Sequence, residues 1–177
     1  MNCAFSISSL FLIQLLVIFH CVQSANDIVQ DTCKKIAAND PELNIDFCVK
    51  SLGSDPESHK VDLEGLGLIG VKLLQANYTG TIEYIKQLQK QKLEPSLLKA
   101  LSFCLDVYTS GERKDLIPLY KAKRYGEVNI YVTIMMNKEA ACDAQGSEKG
   151  GTVPPLTKSN ADVYQLSIIV LDIMNIV

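Results

Sequence analysis

Apolar residues recur at helical spacing along most of this chain. Between residues 26 and 38, Ile28, Val29, Cys33, Ile36 and Ala37 share one helical face, and Asn39-Asp40-Pro41 supplies a stop. A second short helix is expected from about Pro41 to Leu52, ending at Gly53, so residues 25–53 read as a helical hairpin. The next segment opens with Ser54 and Asp55 as cap candidates and Pro56 suited to a first turn. In it Lys72, Gln75, Thr79, Glu83, Lys86 and Lys90 form a polar stripe opposite Leu74, Tyr78, Ile82 and Ile85, which predicts a long amphipathic helix. Gly65, Gly67, Gly70 and Gly80 lower its intrinsic stability and suit close packing. Pro95 starts a further helix with Leu98, Leu101, Cys104, Leu105 and Tyr108 on one face; Gly111 and Pro118 predict a break or kink before Tyr125.

Residues 126–145 are ambiguous. Val128, Ile130, Val132 and Ile134 alternate as in a strand, yet no second convincing strand exists to pair with them, and the later half favours helix; helix is the expectation. Residues 146–160 read as a loop, and a last helix is expected over about 159–176, with Asp162, Gln165, Asp172 and Asn175 on its polar face. Asp172 and the short apolar run argue against a membrane span there. The expected fold is all-α: an up-and-down four-helix bundle over about 54–177 with an N-terminal helical hairpin extension.

The N-terminus does not fit this pattern. Residues 5–24 are an apolar run without Asp, Glu, Lys or Arg, ending in small and polar residues, which reads as a secretory signal peptide (1–24) cleaved after Ser24. No Lys or Arg precedes the run, and an uncleaved membrane anchor is the alternative. Cleavage would remove Cys3, Cys21 and His20, leaving Cys33, Cys48, Cys104 and Cys142, one histidine, His59, and no tryptophan in a domain spanning 25–177. All 17 basic and 20 acidic side chains lie beyond residue 24, so the net charge stays −3, which is not a nucleic-acid-binding balance. Four cysteines in an oxidising compartment read as two disulfides with three possible connectivities. A bridge between Cys33 and Cys48 would clamp a hairpin whose helices are each too short to stand alone. Asn77-Tyr78-Thr79 is an N-glycosylation acceptor.

The sequence is poor in catalytic chemistry. A nucleophilic triad would have to use His59, which sits in the polar SDPESHK segment and reads as a surface residue. Carboxylates such as Asp62 and Glu64 are those of ordinary solvated helix faces. There is no P-loop and no CxxC of a structural zinc site, so neither a cofactor nor a metal is expected, and the chain does not read as an enzyme.

The stretches DIVQDTCKK, DFCVKSLGSDPESH, DLEGLGLIG and SGERKDLIPLYKAKRYGEVNIY, together with the four-cysteine framework, resemble the plant invertase and pectin methylesterase inhibitor family over essentially residues 25–177. The resemblance implies pairing in sequence order, Cys33 with Cys48 and Cys104 with Cys142. It also implies a secreted, monomeric inhibitor with no cofactor, acting in the cell wall (apoplast) or vacuole. One branch of the family inserts into the sugar-binding cleft of an acid invertase, with a Pro-Lys-Phe turn before the third bundle helix. The other lays bundle helices across the groove of a pectin methylesterase and often shows Gly-Asp-Tyr at that turn. Here the turn reads Lys123-Arg124-Tyr125, preceded by Lys121, and matches neither fully; the Asn129-Ile130-Tyr131 that follows is as similar to the second branch. Lys123 and Arg124 are the candidate contacts to carboxylates of an acidic glycosidase cleft, with Tyr125 burying its ring there. The competing reading is a solvated basic turn with Tyr125 as a core staple.

Overall fold

The computed structural model describes residues 27–110, 115–147 and 153–177. The expected signal peptide at 1–24, Gly111 and residues 148–152 of the expected 146–160 loop lie outside them; the described ends of that loop are shorter than expected, since helix continues to Ser147 and resumes at Thr157. Seven α-helices and one 3₁₀ turn, with no strand, make up the described residues: α1 (Ile28–Asn39), α2 (Ile45–Leu52), α3 (Leu63–Leu88), α4 (Pro95–Thr109), α5 (Leu116–Lys121), α6 (Tyr125–Ser147), the 3₁₀ turn (Pro154–Leu156) and α7 (Thr157–Ile176).

Four of the helices, α1, α2, α3 and α5, start where a short polar side chain satisfies a free backbone N–H. Asp27 accepts from Val29, Asn44 from Phe47, Asp62 from Gly65 and Asp115 from Ile117. The third cap departs from expectation: the long helix begins at Leu63, not at Ser54 or Asp55. Ser54 turns its hydroxyl back to the Ser51 carbonyl at 2.6 Å, and Asp55 closes a local turn by accepting from the Glu57 N–H at 2.9 Å. Both side chains are spent on the turn before they could cap a helix. A break before Tyr125 is present: the short helix α5 ends at Lys121, and Pro118 is its third residue, where a missing N–H costs nothing.

The hairpin α1–α2 is bridged by Cys33–Cys48, and Cys104–Cys142 joins α4 to α6, the order the resemblance implied. The helices α3, α4, α6 and α7 form the bundle. Gln89 meets Ser102, Cys104 meets Cys142, and Asn160 meets Asp143, so neighbours in sequence run antiparallel. The alternation that imitates a strand resolves into two helical pairs: Val128 and Val132 are buried, and Ile130 and Ile134 face solvent. Helix α7 is the most enclosed element; Val163, Leu166, Ser167, Ile168, Ile169, Val170 and Ile173 are all buried. Part of its expected polar face is turned to the hairpin. Gln165 donates to the Glu42 carbonyl and accepts from the Asn44 N–H at 2.8 Å, and Tyr164 donates to the Glu42 carboxylate. No helix among the described residues is long and apolar enough to cross a membrane.

Candidate functional site

The turn Lys123-Arg124-Tyr125 caps one end of the bundle. Helix α5 closes there by two backbone bonds, Lys123 N–H to the Tyr120 carbonyl at 2.9 Å and Arg124 N–H to the Leu119 carbonyl at 3.0 Å. This is the Schellman arrangement, with Lys123 in the left-handed position that glycine usually takes (φ 56°). A lysine there costs about 1 kcal/mol. The turn redirects the main chain sharply into α6, which begins at Tyr125.

The two cations are held in place by carboxylates of this chain. Lys123 Nζ donates to Glu64 Oε2 at 2.8 Å, across to the first turn of α3. Arg124 grips Glu127, one turn into α6, through both Nε and Nη2, the latter to Oε2 at 2.6 Å. The hydrogen bond and charge of Glu64 raise the Lys123 pKa. The side chains of Lys123 and Arg124 remain 65 % and 57 % exposed, so both pairs are solvent-screened and easily exchanged for other carboxylates.

Tyr125 is partly buried, its ring 5.1 Å from that of Tyr120 at a tilt of 56°. Burial, then the neighbouring Glu64 carboxylate, raises its phenol pKa. Tyr120 lies underneath, almost fully buried, and donates to the Glu64 main-chain carbonyl at 3.1 Å. Glu64 thus fixes the ridge twice, by its carboxylate to Lys123 and by its carbonyl through Tyr120. The sequence offered Glu64 only as a generic helix-surface acid, and Tyr120 not at all. The sole signal was Gly67, one of four glycines expected to permit close packing. A Cβ there would lie 2.0 Å from the Tyr120 hydroxyl and 2.8 Å from Ile173 Cγ2, whereas a Cβ at Gly80 would meet nothing within 4 Å. Gly67→Ala is therefore expected to destabilise by about 2 kcal/mol, overpacking outweighing the better helix propensity of alanine. Gly80→Ala is expected to be neutral or stabilising. Urea denaturation of the two variants checks this; equal effects would refute the close-packing role of Gly67.

The other sequence candidates lie apart from this ridge. His59 is exposed, its Nδ1 2.9 Å from the Asp27 carboxylate. No group of three or more potential metal ligands occurs among the described residues. Asn77, in the middle of α3, lines an open groove between α2, α3 and α7.

A second polar cluster, unsuspected from the sequence, lies inside the bundle. Tyr78 donates to the Tyr108 carbonyl at 3.0 Å, and Tyr108 donates to Asn160 Oδ1 at 2.8 Å. Asn160 Nδ2 in turn donates to Asp143 Oδ1 at 2.6 Å. Glu139, one turn before Asp143, is 5 % exposed. Burial first, then the Asp143 carboxylate, pushes its pKa up to about 7. The i, i+4 spacing of the two acids was visible in the sequence; that they face inward was not.

The family described as "Plant invertase/pectin methylesterase inhibitor" matches residues 27–173. A "Putative invertase inhibitor" of Platanus acerifolia is 39 % identical over 175 residues, covering 98 % of this chain and 97 % of that one. A protein of the same description from Platanus orientalis is 39 % identical over 149 residues, 83 % of this chain and 88 % of that one. A "Pectinesterase inhibitor" of Actinidia deliciosa is 27 % identical over 182 residues, 96 % of this chain and 94 % of that one.

Proposed function

This chain belongs to the plant invertase/pectin methylesterase inhibitor family, and from that premise we propose that it is a secreted inhibitor blocking the substrate cleft of a plant acid invertase (β-fructofuranosidase). The family is one of enzyme inhibitors, not enzymes. The near full-length similarity to the Platanus acerifolia protein carries the choice of target. Delivery is to the cell wall, with the vacuole as the other acidic destination.

The ridge supports this reading physically. An inhibitor needs a surface that is already in its bound shape, since each side chain ordered on binding costs affinity. Lys123 and Arg124 are pre-positioned by Glu64 and Glu127, and Tyr125 by Tyr120. On docking, the two cations exchange internal carboxylates for those of a glycosidase cleft, where exclusion of water strengthens each charge-assisted bond. Tyr125 serves as the staple beneath them and presents only its outer edge.

Pectin methylesterase is the second reading, favoured by the similarity to the Actinidia protein and by a tyrosine at the turn. Titration of the disulfide-intact mature chain against both enzymes separates the two. For the invertase reading, Lys123→Glu with Arg124→Glu is expected to weaken inhibition by at least about 100-fold, two charge-assisted contacts being lost. Lys123→Gly, which relieves the left-handed strain, is the folded control that removes the first cation alone. Unchanged inhibition by the double reversal would sink the assignment of these residues.

A further inference from the structure

We propose that Asn77 carries an N-linked glycan whose first sugars lie in the groove between the hairpin and the bundle, bracing one against the other. The inference rests on the secretory leader read at residues 1–24. The groove encloses about 490 Å³ and is walled by Phe47 and Lys50 of α2, Leu73 and Asn77 of α3, and Leu166 of α7. Its composition suits a sugar: an aromatic ring and two leucines offer surfaces for the C–H faces of a pyranose. Lys50 and the Lys158–Asp162 pair at its edge offer partners for hydroxyls. Asn77 is itself part of the wall, so an attached sugar needs no diffusional encounter and enters the groove at high effective concentration.

The fold also dictates when attachment happens. Tyr78, the middle residue of the acceptor, is 2 % exposed and donates to the Tyr108 carbonyl. Once α3 has packed, Asn77-Tyr78-Thr79 is no longer available as an extended segment. Transfer therefore precedes folding: the Asn77 Nδ2–C1 bond forms and the C1–oxygen bond of a lipid-linked oligosaccharide diphosphate breaks. The amide proton is released and the lipid diphosphate leaves. The chain then folds around the sugar. Asn77 stands 13 residues from Glu64 along α3, roughly 20 Å, so the glycan leaves the ridge free.

The test is to secrete the full chain from plant cells and to map the Asn77 peptide by mass spectrometry before and after peptide N-glycosidase, with Thr79→Ala as the variant lacking the acceptor. We expect a glycopeptide in the native chain, its conversion to Asp at residue 77 by the glycosidase, and loss of the glycan in Thr79→Ala. We further expect amide hydrogen exchange in α2 to quicken several-fold once the glycan is removed. A secreted chain with an unmodified Asn77 peptide overturns the inference alone, and a chain never secreted overturns it together with the leader. A glycan whose removal leaves exchange in α2 unchanged overturns the seat in the groove.

Discussion

Replacing Cys104 and Cys142 together by alanine is expected to lower the unfolding free energy by about 4 kcal/mol, more than the same change at Cys33 and Cys48, for which about 3 kcal/mol is expected. The difference follows from loop length in the chain-entropy treatment: the bridges close 38 and 15 residues respectively. Both cysteines of the larger loop are fully buried, and the loop contains α5 and the Lys123–Tyr125 ridge. The bridge also sits beside the internal polar cluster, Asp143 being next to Cys142 and bonded to Asn160. Cutting it frees the unfolded chain and, in the folded state, removes the tie that sets α4 against α6 under that cluster. Against a typical domain stability of about 5–15 kcal/mol, a loss of this size is a large share. Denaturant titration of the two double-alanine variants checks the order. If the Cys33–Cys48 variant is the weaker one, native contacts around the hairpin and not loop closure dominate.

The helical content was legible because the apolar positions fall on one face over long spans. Leu74, Tyr78, Ile82 and Ile85 of α3 are all buried as their spacing requires. Residues 126–145 were legible only by exclusion, since Val128, Ile130, Val132 and Ile134 satisfy a two-residue period as well as a four-residue one. What separated them was burial, and burial depends on the neighbours that α4 and α7 provide. The start of α3 was misplaced for a related reason. Ser54, Asp55 and Asp62 are equally good caps in isolation, and which one caps depends on whether its oxygen is already engaged in the turn after α2. At the ridge, Lys123, Arg124 and Tyr125 were singled out by resemblance and by residue type. Glu64 was not, because it reaches Lys123 across 59 residues of sequence and Tyr120 across 56. The pairing of cysteines had the same character: three connectivities were open to the residues alone, and only resemblance chose among them before the structure did.

Raising the pH from about 4.5 to above 7 is expected to destabilise the protein, by as much as roughly 3 kcal/mol in the limit where Glu139 alone titrates. Glu139 has a folded-state pKa of about 7 against an ordinary 4.5, raised first by burial and then by Asp143. A raised carboxyl pKa means that the folded state binds the proton more tightly than the unfolded state does. The stabilisation is therefore fully present below the ordinary value and is lost as pH climbs through the folded one. Below that, protonated Glu139 supplies the shared proton between two acids; above it, two carboxylates face each other one turn apart on α6. Tyr108 of α4 is a neutral phenol whose hydroxyl is committed to Asn160 of α7, and Lys138 donates to the Ser110 carbonyl. Tyr164 of α7 is engaged with Glu42. Asp172, also raised by burial, adds a smaller slope of the same sign. Glu139→Gln keeps a hydrogen-bond donor to Asp143 and removes the proton, so thermal unfolding of this variant should show most of the fall between pH 5 and 7.5 abolished. A native-like pH slope in Glu139→Gln would move the linkage to other carboxylates. The flattened slope would mean that the bundle is most stable at acidic pH because one buried acid, not the ridge, holds a proton there.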